Sequence, residues 1–294
     1  MKSHQTLSHR NKEPENSVLY VVGTPIGNLE DISKRAINIL KNVSLIACED
    51  TRKTGLLMKY LNISNKLICL NQHNYLKKLD FLISKLHNGE SIAMVSDAGM
   101  PLICDPGQFI VSEVKKKNYD VICIPGPCAA ITALVSSGID SSRFIFYGFL
   151  PRSIKERSLI LKEISNNEIT SIIYESPKRI LKLLYDLETF IGQERNVVLL
   201  KELTKRYEKH YGDTINKVID KLQSSDLKGE YTLIISGAQK QKNEDFTSNK
   251  NLIFDLEELI KAGLSNSSAA NYLSKKSGVP KNELYKLSIK NNLE

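Results

Sequence analysis

The sequence predicts an α/β fold in two parts, followed by a small helical module. Short β-branched runs alternate with amphipathic segments of helical length as far as about residue 237. The pattern changes character after Leu150-Pro151-Arg152, where the second half becomes a mixture of strands and helices. A polar stretch without any period, residues 238–250, then leads to three short helical segments with no strand among them.

In chain order, residues 1–16 read as a polar, disordered tail, and Val18 to Val22 is a buried strand ending at Gly23. A helix follows from Asp31, placed as N-cap, to Lys41, with Ile32, Ala36, Ile37, Ile39 and Leu40 facing inward. Leu45–Cys48, Leu67–Leu70, Ser91–Val95, Val121–Ile124 and Phe144–Tyr147 read as strands. Between them lie helices at Thr54–Leu61, Leu76–His87, Gln108–Lys117 and Ala129–Ser136. Strict alternation of this kind means a mainly parallel sheet for residues 17–150. In 151–237, helices are expected at Leu159–Ile164, Ile180–Phe190 and Ile215–Leu222, with strands at Ser171–Tyr174, Val197–Leu200, Tyr207–Tyr211 and Tyr231–Ile235. Gly212-Asp213 reads as a turn closing the third of these strands. The module at 251–294 contains helices Leu252–Ala262, Ser267–Lys276 and Asn282–Ile289, the last two parted by Gly278-Val279-Pro280. That spacing suits a helix-turn-helix or a plain helical bundle, and the Ala269-Ala270 pair allows close helix contact.

Composition narrows the class. With Lys+Arg 41 against Asp+Glu 33 the formal charge is +8, and a hydrophobic content of 41% is enough for real cores. No apolar run approaches the ~18–20 residues that span a bilayer. The first sixteen residues lack the apolar centre of a secretory signal, so a soluble cytoplasmic protein is expected. The five cysteines are odd in number and show no C-x-x-C spacing, which argues against a disulfide framework and a metal site. Cys48 and Cys123 are expected to be small buried filler. The basic excess permits a polyanion such as RNA as partner without establishing one.

Chemistry concentrates in loops that follow strands, where open α/β sheets bind ligands. Gly23-Thr24-Pro25-Ile26-Gly27-Asn28-Leu29 is neither a dinucleotide fingerprint nor a P-loop, but it is stiff and low in profile. Residues 95–107 crowd two Gly, two Pro and two further Asp after a buried strand, more special backbone than a connector needs. Pro125-Gly126-Pro127-Cys128-Ala129-Ala130 leads into a helix N-terminus with unpaired N–H groups. The second half offers Tyr174-Glu175-Ser176-Pro177, Lys201 to Lys205 and Gly229-Glu230-Tyr231, which places the natural site in a cleft between the halves.

The loops Gly-Thr-Pro-Ile-Gly-Asn-Leu (23–29), Glu-Asp-Thr-Arg (49–52), His-Asn (73–74) and Ser-Asp-Ala-Gly-x-Pro-Leu-Ile-x-Asp-Pro-Gly (96–107) recur in one known order. Pro-Gly-Pro-Cys-Ala-Ala (125–130), Gly-Phe-Leu-Pro (148–151), Tyr-Glu-Ser (174–176) and Glu-Leu-Thr-Lys (202–205) complete it. In this the chain resembles the bacterial 16S ribosomal RNA cytidine 2′-O-methyltransferases, members of the tetrapyrrole-methylase-like superfamily, over about Val18 to Ile289. The resemblance implies the two-domain class III methyltransferase fold, a homodimer, and S-adenosylmethionine held in the interdomain cleft without a metal. It implies a cytidine in the decoding region of the small-subunit RNA as target. Carried over, it puts Pro25, Ile26, Asp97, Ala98, Gly99, Met100, Ile103, Pro127 and Cys128 on one wall of the cofactor site, and Tyr174, Leu203, Tyr231 and Thr232 on the other. The sequence departs from the family at Met100 for Thr, Cys104 for Ser or Asn, Tyr75 for Glu, and Lys178 for His.

A ribose 2′-hydroxyl is a weak acid, so a general base is expected, and His73, Asp50 and Glu202 are the candidates. Arg52 suits either an ion pair with Asp50 or an RNA phosphate, and Asn74 stands beside His73 in the same post-strand position. Lys275, Lys276 and Lys281 make the helical module a candidate RNA contact, although Glu257, Glu258 and Glu283 nearly balance its charge. A methyltransferase for tetrapyrrole-type small molecules and a non-catalytic ribosome-binding protein are the alternative readings.

Overall fold

The structure, a computed structural model, describes residues 12–70, 74–239 and 250–290. Five parallel strands, β1 (Val18–Val22), β2 (Leu45–Cys48), β3 (Leu67–Cys69), β4 (Ile92–Val95) and β5 (Asp120–Ile124), form the first sheet in the order β3-β2-β4-β1-β5. Helices α1 (Lys34–Asn42), α2 (Thr51–Tyr60), α3 (Tyr75–His87), α4 (Gln108–Lys116) and α5 (Ala129–Ser137) connect them. Parallel strands are buried on both faces and so read as continuous apolar runs. Val18, Tyr20 and Val22 of β1 meet Ala36, Ile39 and Leu40 of α1, while Leu19 and Val21 meet Leu82 and Leu86 of α3 and Ile110 and Val114 of α4.

Local capping corrects two helix starts. Asp31 is not the N-cap of α1: it ends a 3-10 turn, Leu29–Asp31, and the Ser33 hydroxyl accepts the Ala36 N–H at 3.0 Å. Helix α2 begins three residues early because Asp50 caps it, its carboxylate accepting the Arg52 N–H at 2.8 Å. Cys48 is buried, but Cys123 is exposed, because β5 is an edge strand. Of the expected N-terminal tail, residues 1–11 lie outside the described residues. Glu13 is fixed, accepting two hydrogen bonds from the Arg35 guanidinium at 2.6 Å each.

The second sheet comprises β6 (Phe144–Phe149), β7 (Thr170–Glu175), β8 (Asn196–Lys201), β9 (Lys209–Thr214) and β10 (Tyr231–Ile235), in the order β6-β7-β10-β8-β9. Only β6 and β7 pair in parallel. Strand β6, expected to end the first half, is hydrogen-bonded in the second sheet, so the border between the sheets falls between α5 and β6. Gly212 and Asp213 are not a turn: they pair with Val198 and Val197 inside β9. Helices α6 (Ile154–Asn166), α7 (Ile180–Ile191) and α8 (Ile215–Gln223) cover one face with Leu161, Ile164, Leu183, Leu184, Leu187, Val218 and Leu222. The other face is covered by α5, whose Ala130, Ala133 and Leu134 pack on Ile172, Leu200 and Ile234. A helix from the first half thus completes the core of the second, and the chain through Ala238 is one compact unit.

The second unit begins at Gln239 and has its own core. Helices α9 (Lys250–Lys261), α10 (Asn266–Ser277) and α11 (Lys281–Lys290) enclose Leu256, Ala269, Ala270, Leu273, Val279, Leu284 and Leu287. Ser265 caps α10, and Gly278, at φ +76°, ends it. Most of the expected linker, residues 240–249, lies outside the described residues.

Candidate functional site

Strand order explains where the site forms. Because β4, β1 and β5 are neighbours, the three Gly- and Pro-rich loops that leave their carboxyl ends are brought side by side. Thr24 and Gly99 exchange backbone hydrogen bonds of 2.9 and 3.1 Å between two of these loops. Gly23 and Gly126 approach so closely that a Cβ on Gly23 would stand 2.7 Å from the Gly126 Cα, which excludes any side chain there. Gly99 has φ +80°, and its missing Cβ would meet Ile26 at 3.2 Å.

These loops form one wall of a cavity of about 350 Å³, in the size range of small-ligand sites. Ile26, Ala98, Gly99, Met100, Ile103 and Cys128 line it from the first half, and Tyr174, Tyr231 and Thr232 from the second, as the sequence placed them. Four expected residues do not line it. Leu203 is buried in the core beneath α5, and Asp97 accepts the Asp50 N–H at 3.1 Å and a hydrogen bond from Lys53 at 2.7 Å. Pro25 and Pro127 shape the loops behind the wall, the Pro127 carbonyl lying 3.5 Å from where a Gly99 Cβ would be. The lining also includes Cys104, Asp105, Ala129, Phe149, Glu175, Ser176, Pro177, Gly229 and Glu230. Most of these belong to loops already marked by composition. Phe149 stood in the Gly-Phe-Leu-Pro motif but was not placed in the site, and β6 runs two residues beyond its expected end to carry it there.

The two walls are fastened together. The Tyr174 hydroxyl accepts the Ala130 N–H at 2.8 Å, serving as the cap that Cys128 does not provide, so this helix N-terminus is not fully free. Burial raises the Tyr174 phenol well above its ordinary range, which keeps it protonated. The Asn28 N–H donates to the Thr204 hydroxyl at 3.1 Å. Leu102, Cys104, Glu202 and Thr204 all have positive φ, between 54° and 74°, in the loops on either side of the cleft. Left-handed conformations in non-glycine residues concentrate where the surrounding structure holds a site in shape.

The charged candidates separate by environment. Hydrogen bonds donated by the Arg52 guanidinium and backbone N–H hold the Asp50 carboxyl far below the usual carboxylate range. Arg52 itself is 89% exposed beyond that ion pair. For Glu202, burial pushes the carboxyl up, but hydrogen bonds from Lys205 and the Glu230 N–H outweigh it and leave the carboxyl low. The opposite holds for Glu49 and Asp105. Burial raises both, with neighbouring Asp97 adding to each, while a hydrogen bond from Ser96 opposes the shift at Asp105. His73 lies outside the described residues. The Asn74 side chain donates to the Cys69 carbonyl at 3.1 Å, at the start of α3. In the second unit, Lys275, Lys276 and Lys281 are exposed. Among the described residues no group of three His, Cys, Asp or Glu side chains is arranged to hold a metal ion, and no helix is long and apolar enough to cross a membrane.

Comparison with known proteins shows the family and the fold. The family described as Tetrapyrrole (Corrin/Porphyrin) Methylases matches residues 18–219, which include both sheets up to α8. A ribosomal RNA small subunit methyltransferase I of Synechocystis sp. is 42% identical over 92% of this chain and 97% of its own. The protein of that name from Escherichia coli O157:H7 is 41% identical over 98% of this chain and 99% of its own. Among solved structures, a cobalt precorrin-4 methyltransferase of cobalamin biosynthesis superposes with a TM-score of 0.56 at 13% identity, over 75% of this chain and 95% of its own. A diphthine synthase superposes with a TM-score of 0.56 at 12% identity, over 74% of this chain and 89% of its own, a likeness of fold alone.

Proposed function

Because the chain belongs to the tetrapyrrole methylases, and among them to the ribosomal RNA small subunit methyltransferase I family, we propose that it methylates the RNA of the small ribosomal subunit. The acceptor is the 2′-hydroxyl of a cytidine in the decoding region of 16S RNA, and the protein works in the cytoplasm. The observation that carries this reading is the cleft: its two walls come from both sheets, and the match to the Escherichia coli relative, over 98% of this chain, spans them.

The cleft suits S-adenosylmethionine. Its volume of about 350 Å³ matches a nucleoside joined to an amino acid, its lining is mostly apolar, and Gly99 leaves open the space a side chain would fill. Ile26, Gly99, Met100, Ile103, Cys128, Tyr174 and Thr232 would hold it. When bound, S-adenosylmethionine supplies a methyl group already activated on a sulfonium. The protein therefore has to align the acceptor oxygen and take its proton. Asp50 and Glu202 are poor acceptors, since ion pairs hold both carboxyls low. Asp105 lines the cavity, and burial raises its carboxyl, which makes it a better proton acceptor than either of them.

A homodimer belongs to the same proposal. Ile131 and Val135 on α5, 44% and 75% exposed, and Phe144 on β6 offer a second copy an apolar face. Sedimentation would show a monomer if that face were left uncovered. The catalytic reading is tested by methyl transfer from labelled S-adenosylmethionine to purified 30S particles and, separately, to free 16S RNA. Label in either substrate supports it, and label in a tetrapyrrole instead would favour small-molecule methylation.

A further inference from the structure

A second cavity, of about 180 Å³, is lined by Arg152, Arg157, Glu175, Arg179, Lys182 and Leu183. Four of the six are cations. Glu175 lines this cavity and the cleft alike, so the two share a wall. The cations come from two helix starts: Arg152 and Arg157 flank the first turn of α6, and Arg179 and Lys182 that of α7. Neither helix has a side-chain cap at its N-terminus, so both helix dipoles add positive potential to the same place.

Two of the four cations are fixed by the fold. Arg157 is buried and donates to one Asp186 oxygen from Nε at 3.1 Å and Nη2 at 2.7 Å. Arg179 donates to the Leu150 carbonyl at 2.8 Å, and its Nη2 lies 3.1 Å from the Glu175 carboxylate. Arg152 and Lys182 are exposed, and neither side chain has a hydrogen bond or ion pair among the described residues. With Glu175 and Asp186 set against the four cations, the local balance is two positive charges in excess. Fixed arginines behind exposed, unpaired cations make a receptor for a phosphate, which takes hydrogen bonds from planar guanidinium groups at several oxygens.

We infer that this cavity binds a backbone phosphodiester of the RNA strand beside the nucleotide that enters the cleft. The inference rests on the RNA reading above and adds to it a position for the strand. The phosphate is held at the α6 and α7 N-termini, and Glu175, which lines both cavities, stands between it and the cofactor side.

The test compares the parent with an Arg152→Gln, Lys182→Gln double variant. Affinity for 30S particles and for a short oligoribonucleotide is measured at several salt concentrations, alongside cofactor affinity and melting temperature. The expected result is unchanged cofactor affinity and melting temperature, RNA binding weakened by about tenfold or more, and a shallower slope of log affinity against log salt. Two lost single-strand contacts predict a change of about 1.4 in that slope. The charge-preserving Arg152→Lys, Lys182→Arg variant should keep the parental slope. Unchanged RNA affinity and slope in a double variant that still methylates 30S would overturn the phosphate site and leave the methylation reading intact. A lowered melting temperature accompanying the loss, with no rescue by the charge-preserving pair, would assign these residues to stability and overturn it as well. If the parent itself neither binds nor methylates 30S, the RNA reading fails and the phosphate site fails with it.

Discussion

Gly99 shows how much of the site rests on single residues. At φ +80° a β-branched residue is strained by at least about 1–2 kcal/mol, and its side chain would press on Ile26 in the cavity wall. Gly99→Val is therefore expected to lower cofactor affinity by more than tenfold, read by calorimetry, while the far-ultraviolet circular dichroism stays native. Asp105 carries a different expectation. Burial holds its folded pKa above the unfolded value, so ionisation at neutral pH disfavours the fold, and Asp105→Asn should leave stability equal or higher. If Asp105 accepts the proton, the same variant loses about 10²–10⁴ in kcat and the acid limb of the pH–rate profile, with cofactor affinity kept. A profile unchanged in shape would return the role to another group. At this scale the sequence was legible for the loops that line the cavity, because Gly, Pro and Asp crowd where backbone segments approach one another closely. It was not legible for the base: the Asp50–Arg52 pair was one of two open readings, while the burial that raises Asp105 and the hydrogen bonds from Lys205 and the Glu230 N–H that lower Glu202 are set by the fold.

Among the elements, α5 bears most on function. It leaves β5 of one sheet, packs on Ile172 and Ile234 of the other, and receives its N-terminal cap from Tyr174 across the cleft. Tyr174→Phe removes the hydroxyl that satisfies the Ala130 N–H, and should cost about 1 kcal/mol of stability, seen as a lower urea midpoint, together with weaker cofactor binding. Equal midpoints would mean that water replaces the cap. The strands and helices around α5 were readable from periodicity, because buried parallel strands are unbroken apolar runs. The misreadings have physical causes. Strand β6 was placed with the first half but pairs in the second sheet, since partner choice is long-range, and Gly212-Asp213 looked like a turn although β9 keeps them in register with β8. Ser33 outcompeted the expected cap Asp31, and Asp50 starts α2 ahead of the expected Thr54, because each sits where the chain is extended just before the helix.

For the whole molecule, the chain divides into two compact units. The unit that ends at Ala238 holds the complete cleft, and the helical unit has a core of its own. Truncation before Asn249 is therefore expected to leave cofactor affinity unchanged. If exposed Lys275, Lys276 and Lys281 contact RNA, it should also weaken 30S binding and flatten its salt dependence. An unchanged 30S affinity and slope would remove the RNA role from this unit. Composition announced the second unit through its polar approach and absence of strands, but helical periodicity alone does not distinguish an RNA reader from a bundle. The central claim, transfer of a methyl group to a cytidine ribose of small-subunit RNA, is tested most directly by mass spectrometry of nucleosides. Unmodified 30S particles are incubated with the protein and isotopically labelled S-adenosylmethionine, and their RNA is then digested. The account predicts one labelled methyl group per particle, recovered as 2′-O-methylcytidine from the decoding region. Label on a base, on another nucleoside, or absent from the RNA would contradict it.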